Sequence, residues 1–232
     1  MQAEEKQQLI TYLSQFVTVA RWEKIISVLQ QRTRYITVIL EDIYQPHNAS
    51  AVLRSCDSFG VQDIHIVENK NTFTITQGVT IGSDRWLTLY RYNQRGINNT
   101  EECLKKLKNE GYIIAATTPY KEQITIEELS VKKKVALMFG SEINGLSEYA
   151  QNNADVSVKI PMVGFSESFN ISVSAALCLY DVISRLKKEH NNWELNETEK
   201  LYLELDWLRK SIKGGELIEK KFLRQKGVGS NE

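Results

Sequence analysis

From residue 35 to residue 189 the sequence switches repeatedly between short apolar runs and longer segments of helical spacing, and this alternation constrains the fold more than any other feature. The runs YITVIL (35–40), DIHIV (63–67), WLTLYRY (86–92), YIIAATT (112–118), KVALMFG (134–140) and VSVKIP (156–161) read as strands. Between and after them lie helix candidates at 48–59, 100–109, 146–152 and 170–189, with Asn48 and Thr100 as caps and Gly111 as a stop signal. Strands that alternate with helices predict an α/β fold, a mostly parallel sheet with helices on both faces. In such sheets ligands bind at the carboxyl ends of the strands, where helix N-termini offer free N–H donors.

Three polar clusters fall at or just beyond expected strand ends. The stretch IPMVGFSESFNISVSAALCLYD (160–181) joins a strand end to a polar loop with Gly164, Ser166, Ser168 and Asn170, then to a helix opening on Ser172, Ser174, Ala175 and Ala176. Small side chains there admit another backbone or a ligand, or simply pack a helix closely on the sheet. In PHNASAVLRSCDSFG (46–60), Val52, Cys56 and Phe59 form an apolar helix face and Arg54 lies off it. The bland reading of Arg54 is a solvated arginine paired with Asp57 at i+3. In LMFGSEINGLSEYA (137–150), Gly140, Glu142 and Gly145 follow an apolar strand, as an ordinary turn or a ligand loop would.

The flanks differ from this core. Residues 3–32 carry apolar positions at helical spacing in two blocks, and LYLELDWLRKSI (201–212) sets Leu201, Leu205 and Leu208 on one face. Such a face packs on its own core, on a second subunit or on RNA. With 29 basic and 29 acidic residues the chain has no bulk charge for coating nucleic acid, so cationic patches must be local. Residues 207–229 form one, seven basic residues against two acidic.

Several classes lose support. Three widely spaced cysteines suit neither a disulfide framework nor zinc and point to a reducing cytoplasm. His47, His65 and His190 lack ligand spacing, so no metal is expected. No apolar run has the length of a membrane span, and the N-terminus lacks the apolar core of a signal peptide. The glycine signatures of dinucleotide and P-loop sites are missing, as is the nucleophile elbow of hydrolases.

Taken together, HNASAVLR, FGSEINGLS and IPMVGFSESFNIS, in that order, resemble the three motifs of the SpoU branch of the SPOUT RNA methyltransferases, most closely its TrmH-type tRNA guanosine 2′-O-methyltransferases. The resemblance spans roughly residues 35–190, and DWLRK near the end is similar to the terminal helix of such enzymes. It implies a C-terminal deep trefoil knot, bound S-adenosylmethionine, a homodimer with the site near its interface, and tRNA as substrate, methylated at the D-loop guanosine 18. The same chemistry on the wobble nucleotide or on ribosomal RNA, and a non-catalytic RNA-binding protein on the same scaffold, stay open.

Matching positions imply catalytic roles for Arg54, Asn48, Glu142, Ser168 and Asn170, and cofactor contacts at Thr117, Gly140, Ile160, Met162 and Phe169. Phe169 stands where the family carries leucine. For RNA contacts the candidates are Arg21, Lys24, Arg32, Arg34, Arg209 and Lys210. The expected organisation is an N-terminal helical extension (1–34), a SPOUT domain (35–190) and a basic helical tail (191–232).

Overall fold

The computed structural model describes residues 3–118, 124–189, 192–225 and 227; Lys226 of the basic tail lies outside them. The chain opens with helices α1 (Ala3–Ser14) and α2 (Val19–Leu29). It continues through β1 (Ile36–Glu41), α3 (Pro46–Phe59), β2 (Asp63–Val67), the one-turn α4 (Gln77–Thr80) and β3 (Thr88–Tyr92). Next come α5 (Asn99–Asn109), β4 (Ile113–Thr117), β5 (Ile124–Thr125), β6 (Val135–Phe139), α6 (Glu148–Asn153), β7 (Val156–Lys159) and α7 (Ile171–Glu189). Helices α8 (Glu197–Ser211) and α9 (Gly215–Gln225) close it.

Two compact units result, residues 33–193 and residues 1–32 with 194–232. Among the described residues of the larger unit seven strands form one sheet in the order β3-β2-β1-β6-β4-β7-β5. Every strand pairing in it is parallel. The pleat explains the near-continuous apolar runs, because both faces are covered. Ile36, Val38 and Leu40 of β1 face a core that includes Val52 and Cys56 of α3 and Leu179 and Val182 of α7. Ile39, one residue out of phase, joins Met138, Ile114 and the Cys103, Leu104 and Leu107 face of α5 on the other side. Since all strands run the same way, their carboxyl ends share one edge. The strand order reverses between β1 and β4, the position where open α/β sheets leave a crevice.

Local capping differs from expectation in two places. Asn98, not Thr100, caps α5, accepting the N–H groups of Thr100 and Glu101; Thr100 is buried instead. Helix α3 begins at Pro46, a residue whose fixed φ and missing N–H suit the first turn. Asn48 therefore sits inside that turn, and its amide is free for a longer-range role. Expectation placed the strand before α5 at 86–92; Ser83–Trp86 is a 3-10 turn and the strand starts at Thr88.

The smaller unit answers what the apolar face of 201–212 packs on. Leu205, Leu208 and Trp207 of α8 are buried with Leu9, Ile10 and Leu13 of α1, and the Tyr12 ring lies 4.9 Å from that of Phe222 in α9. Among the described residues no helix is long and apolar enough to cross a membrane.

Candidate active site

A cleft of about 360 Å³ opens at the carboxyl ends of β4, β6 and β7. Its walls come from three stretches far apart in sequence: Thr117 and Thr118 after β4, the loop 139–145 after β6, and 158–171 running from β7 into α7. Each supplies backbone at a strand end, where the chain turns and its polar groups are not spent on the sheet.

The loop after β6 folds back on itself. Ser141 N–H donates to the Gly145 carbonyl (3.1 Å) and Gly145 N–H to the Ser141 carbonyl (2.9 Å), while Ser141 Oγ accepts from Asn144 N–H. Gly145 takes a left-handed conformation, φ +63°, that closes the turn. A Cβ on Gly140 would lie 2.2 Å from the Gly145 carbonyl carbon, so the close approach that the glycine permits is of the chain's own backbone.

This loop presents Glu142 to the start of α3. Asn48 Nδ2 donates to Glu142 Oε1 (2.8 Å) and to Gln45 Oε1 (2.9 Å), and the Tyr44 N–H donates to Glu142 Oε2 (3.4 Å). From the other side Asn170 Nδ2 donates to Asn48 Oδ1 (3.1 Å), while Asn170 Oδ1 accepts from the Ser172 N–H and hydroxyl at the start of α7. One amide, Asn48, thus links all three polar clusters, reaching 94 residues to Glu142 and 122 to Asn170. With only 5% of its surface exposed, Asn48 would be costly to leave unpaired.

Glu41 fixes the far end of the same loop. Buried at the end of β1, its carboxylate accepts from the Ser147 N–H (2.8 Å), the Ser147 hydroxyl (2.8 Å) and the Thr100 hydroxyl. Ser147 in turn caps α6. Neither Glu41 nor Gln45 is marked by a sequence motif: the partners of Glu41 lie on other elements, and Gln45 is the residue that precedes α3, three positions before Asn48.

The five expected cofactor contacts, Thr117, Gly140, Ile160, Met162 and Phe169, all line the cleft. Of the five expected catalytic residues, Glu142, Ser168 and Asn170 also line it, and Asn48 stands directly behind Glu142. Arg54 does not line it. Six residues after Asn48, it lies about 240° around α3 by helix geometry and is exposed. Among the described residues its guanidinium carries no hydrogen bond or ion pair, so the pairing with Asp57 does not form.

The six RNA candidates divide. Arg21 and Lys24 are exposed on α2. Arg34 pairs with Asp63 at 3.0 Å and Lys210 with Asp206 at 2.6 Å. Arg209 makes a two-point pair with Glu219 through Nε (2.6 Å) and Nη2. Arg32 is not on the surface at all: it is 1% exposed, with its guanidinium over the Trp207 ring. His65 is a core residue, stacked on Tyr90, and burial, with Lys106 nearby, pushes its imidazole down to about 3. Among the described residues no three His, Cys, Asp or Glu side chains gather as metal ligands would.

Residues 35–180 match the SpoU rRNA Methylase family. A tRNA (guanosine(18)-2′-O)-methyltransferase of Borreliella burgdorferi is 40% identical over 210 residues, 90% of this chain and 94% of that protein. The solved A. aeolicus TrmH/SpoU tRNA modifying enzyme superposes with a TM-score of 0.74 at 27% identity, covering 84% of this chain and 98% of that one. An AdoMet-bound rRNA methyltransferase of Sinorhizobium meliloti shares the fold, with a TM-score of 0.59 at 22% identity over 68% of this chain and 59% of that one.

Proposed function

Because the chain belongs to the SpoU rRNA methylase family, we propose that it methylates the ribose 2′-oxygen of guanosine 18 in tRNA, with S-adenosylmethionine as methyl donor. The observation that carries this reading is the Asn170–Asn48–Glu142 line set beside a cleft with apolar walls.

The cleft suits that donor chemically. Ile160, Met162 and Phe169 would offer an apolar wall to a flat heterocycle, Thr117 and Gly140 border it, and Glu142 and Glu167 on the lining are of the charge that would suit a cationic ligand. S-adenosylmethionine supplies an activated methyl group on a cationic sulfur. What the protein must supply is on the acceptor side, since a ribose hydroxyl is a very weak acid. Glu142, Ser168 and Asn170 hold the acceptor ribose, with Asn48 fixing the first and last of them in one orientation. Arg54 does not line this cleft, and the role assigned to it is the one the family resemblance implies: stabilising the developing alkoxide as a protonated, fixed charge and donor rather than as a base.

Affinity for the RNA rests on phosphate contacts, with Arg21 and Lys24 exposed and Arg34, Arg209 and Lys210 exchanging a carboxylate partner for a phosphate. Residues 1–34 and 191–232 serve as RNA-handling extensions of a methyltransferase domain at 35–190, and Arg32 contributes by holding Trp207. Cys56, Cys103 and Cys178 are all buried and none is in a disulfide among the described residues, which suits the reducing cytoplasm.

The active form is a homodimer. Val173, Leu177 and Tyr180 make an exposed apolar stripe on α7, and Val163 and Phe165 stand fully exposed on the loop that walls the cleft. An RNA-facing patch would be basic, whereas this one is uncharged and continuous with the site, so a second copy is the occupant. Leu177→Glu should convert a particle of twice the chain mass to one of the chain mass by light scattering; a wild-type monomer at micromolar concentration would sink the dimer.

The function itself is tested by incubating unmodified tRNA with methyl-labelled cofactor and mapping the product. One methyl at guanosine 18 is expected. Label at the wobble nucleotide, or no label in the tRNA while ribosomal RNA offered in a parallel incubation is labelled, would overturn the assignment.

A further inference from the structure

The connection from β1 to α3 holds an exposed aromatic ring on unusually constrained backbone. Asp42 adopts a left-handed conformation, φ +52°, that residues with a side chain rarely take. Its carboxylate Oδ1 holds it there by accepting the N–H groups of Asn69 (2.8 Å), Lys70 (2.7 Å) and Asn71 (3.2 Å), and its carbonyl accepts from Asn71 Nδ2 (2.7 Å). Ile43 is buried, and Gln45 is tied to Asn48. Between these fixed points the Tyr44 N–H meets Glu142, yet the side chain is 62% exposed and among the described residues touches no other ring or cation. Strained backbone persists only where its surroundings determine it, and it concentrates at functional sites.

The main chain of Tyr44 is held 3.4 Å from the carboxylate proposed to hold the ribose, and its exposed ring, outside the residues that line the cleft, lacks a partner that the RNA can provide. The base of a methylated nucleotide is joined to the carbon next to the one bearing the acceptor oxygen. A group beside Glu142 is therefore within reach of that base. Flat stacking surfaces recognise unpaired bases in this way, with the ring face carrying the contact.

We propose that Tyr44 is the platform on which the guanine of the methylated nucleotide stacks, so that the β1–α3 connection places the base while Glu142 and Asn170 place the ribose. This rests on the function proposed above. It makes Tyr44 a substrate-binding residue with no part in holding the cofactor, and it predicts dependence on an aromatic ring rather than on the hydroxyl.

The test compares full-length wild type with Tyr44→Ala, Tyr44→Phe and Tyr44→Trp, measuring kcat/KM on tRNA, cofactor affinity by calorimetry and mass by light scattering. Tyr44→Ala should lose about ten- to hundredfold in kcat/KM, with Phe and Trp within about threefold of wild type. Cofactor affinity and particle mass should be unchanged in all four. On a tRNA whose nucleotide 18 lacks its base, wild type should fall toward Tyr44→Ala, and the two losses should not add. A Tyr44→Ala enzyme as active as wild type would overturn the platform, as would a loss that Phe and Trp fail to restore. A change in mass would assign Tyr44 to contact between copies instead. If the wild type itself transfers no methyl to tRNA, the function falls and the platform with it; if it does and Tyr44→Ala matches it, the platform alone falls.

Discussion

Replacing Arg54 with alanine should lower the methylation rate by ~10²- to 10³-fold, the loss that follows removal of one preorganised donor from a developing oxyanion. Cofactor affinity, read by calorimetry, should stay within a few-fold of wild type, because Arg54 is not part of the cleft wall. The fold should survive as well. Arg54 is exposed in the middle of α3, alanine is at least as good a helix former, and among the described residues no pairing is broken. Arg54→Lys should fail nearly as badly, since a compact ammonium cannot reproduce the planar fork of donors. A guanidinium on a helix with no partner among the described residues is what this role needs, because a partner within the chain would compete with the substrate. Near-normal turnover by Arg54→Ala would remove it from the reaction.

Gly140→Ala should have the second large effect, on the cofactor rather than on the chemistry. The added Cβ would meet the Gly145 carbonyl carbon at 2.2 Å, its oxygen at 2.3 Å and the Leu146 nitrogen at 2.3 Å. All three are backbone, so no side chain can swing away. The loop must open, which breaks the paired hydrogen bonds between Ser141 and Gly145 and carries Glu142 away from Asn48. Overpacking of this kind costs about 1–3 kcal/mol or more, and for a domain of this size lowers Tm by roughly 5 °C. Cofactor binding should become undetectable by calorimetry. Gly78→Ala is the matched control: nothing lies within 4 Å of its Cβ position, so stability and binding should follow wild type. Normal cofactor affinity in Gly140→Ala would mean that the loop does not shape the site.

Much of the scaffold was legible because strands buried on both faces leave long apolar runs. DIHIV was placed at Asp63–Val67, as found, and KVALMFG overlaps Val135–Phe139 within a residue at each end. The two residues of β5 are too few to carry a period, and in α9 (GELIEKKFLRQ) charged and polar residues outnumber the few apolar ones, which leaves a weak apolar signal. At the site, residue types were readable and their connections were not. Asn48 resembled a helix cap because local reading cannot see Glu142 and Asn170; only the crossing of β1, β6 and β7 at one edge brings those three together. The same blindness put Arg32 on the surface, where a lone arginine belongs by default, when Trp207 far along the chain takes it into a core. The expected knot came wholly from the family resemblance, since a threading has no periodicity.

If the Asn48–Glu142–Asn170 site serves methyl transfer to one ribose oxygen, removing that oxygen must abolish the reaction. Two unmodified tRNA transcripts, identical except that one carries 2′-deoxyguanosine at position 18, test it most directly when each is incubated with enzyme and methyl-labelled S-adenosylmethionine. The first should take up one methyl per molecule, recovered in an alkali-resistant dinucleotide that begins at guanosine 18, and the second should take up none. Equal labelling of the deoxy transcript, or label in the first confined to a base, would contradict it.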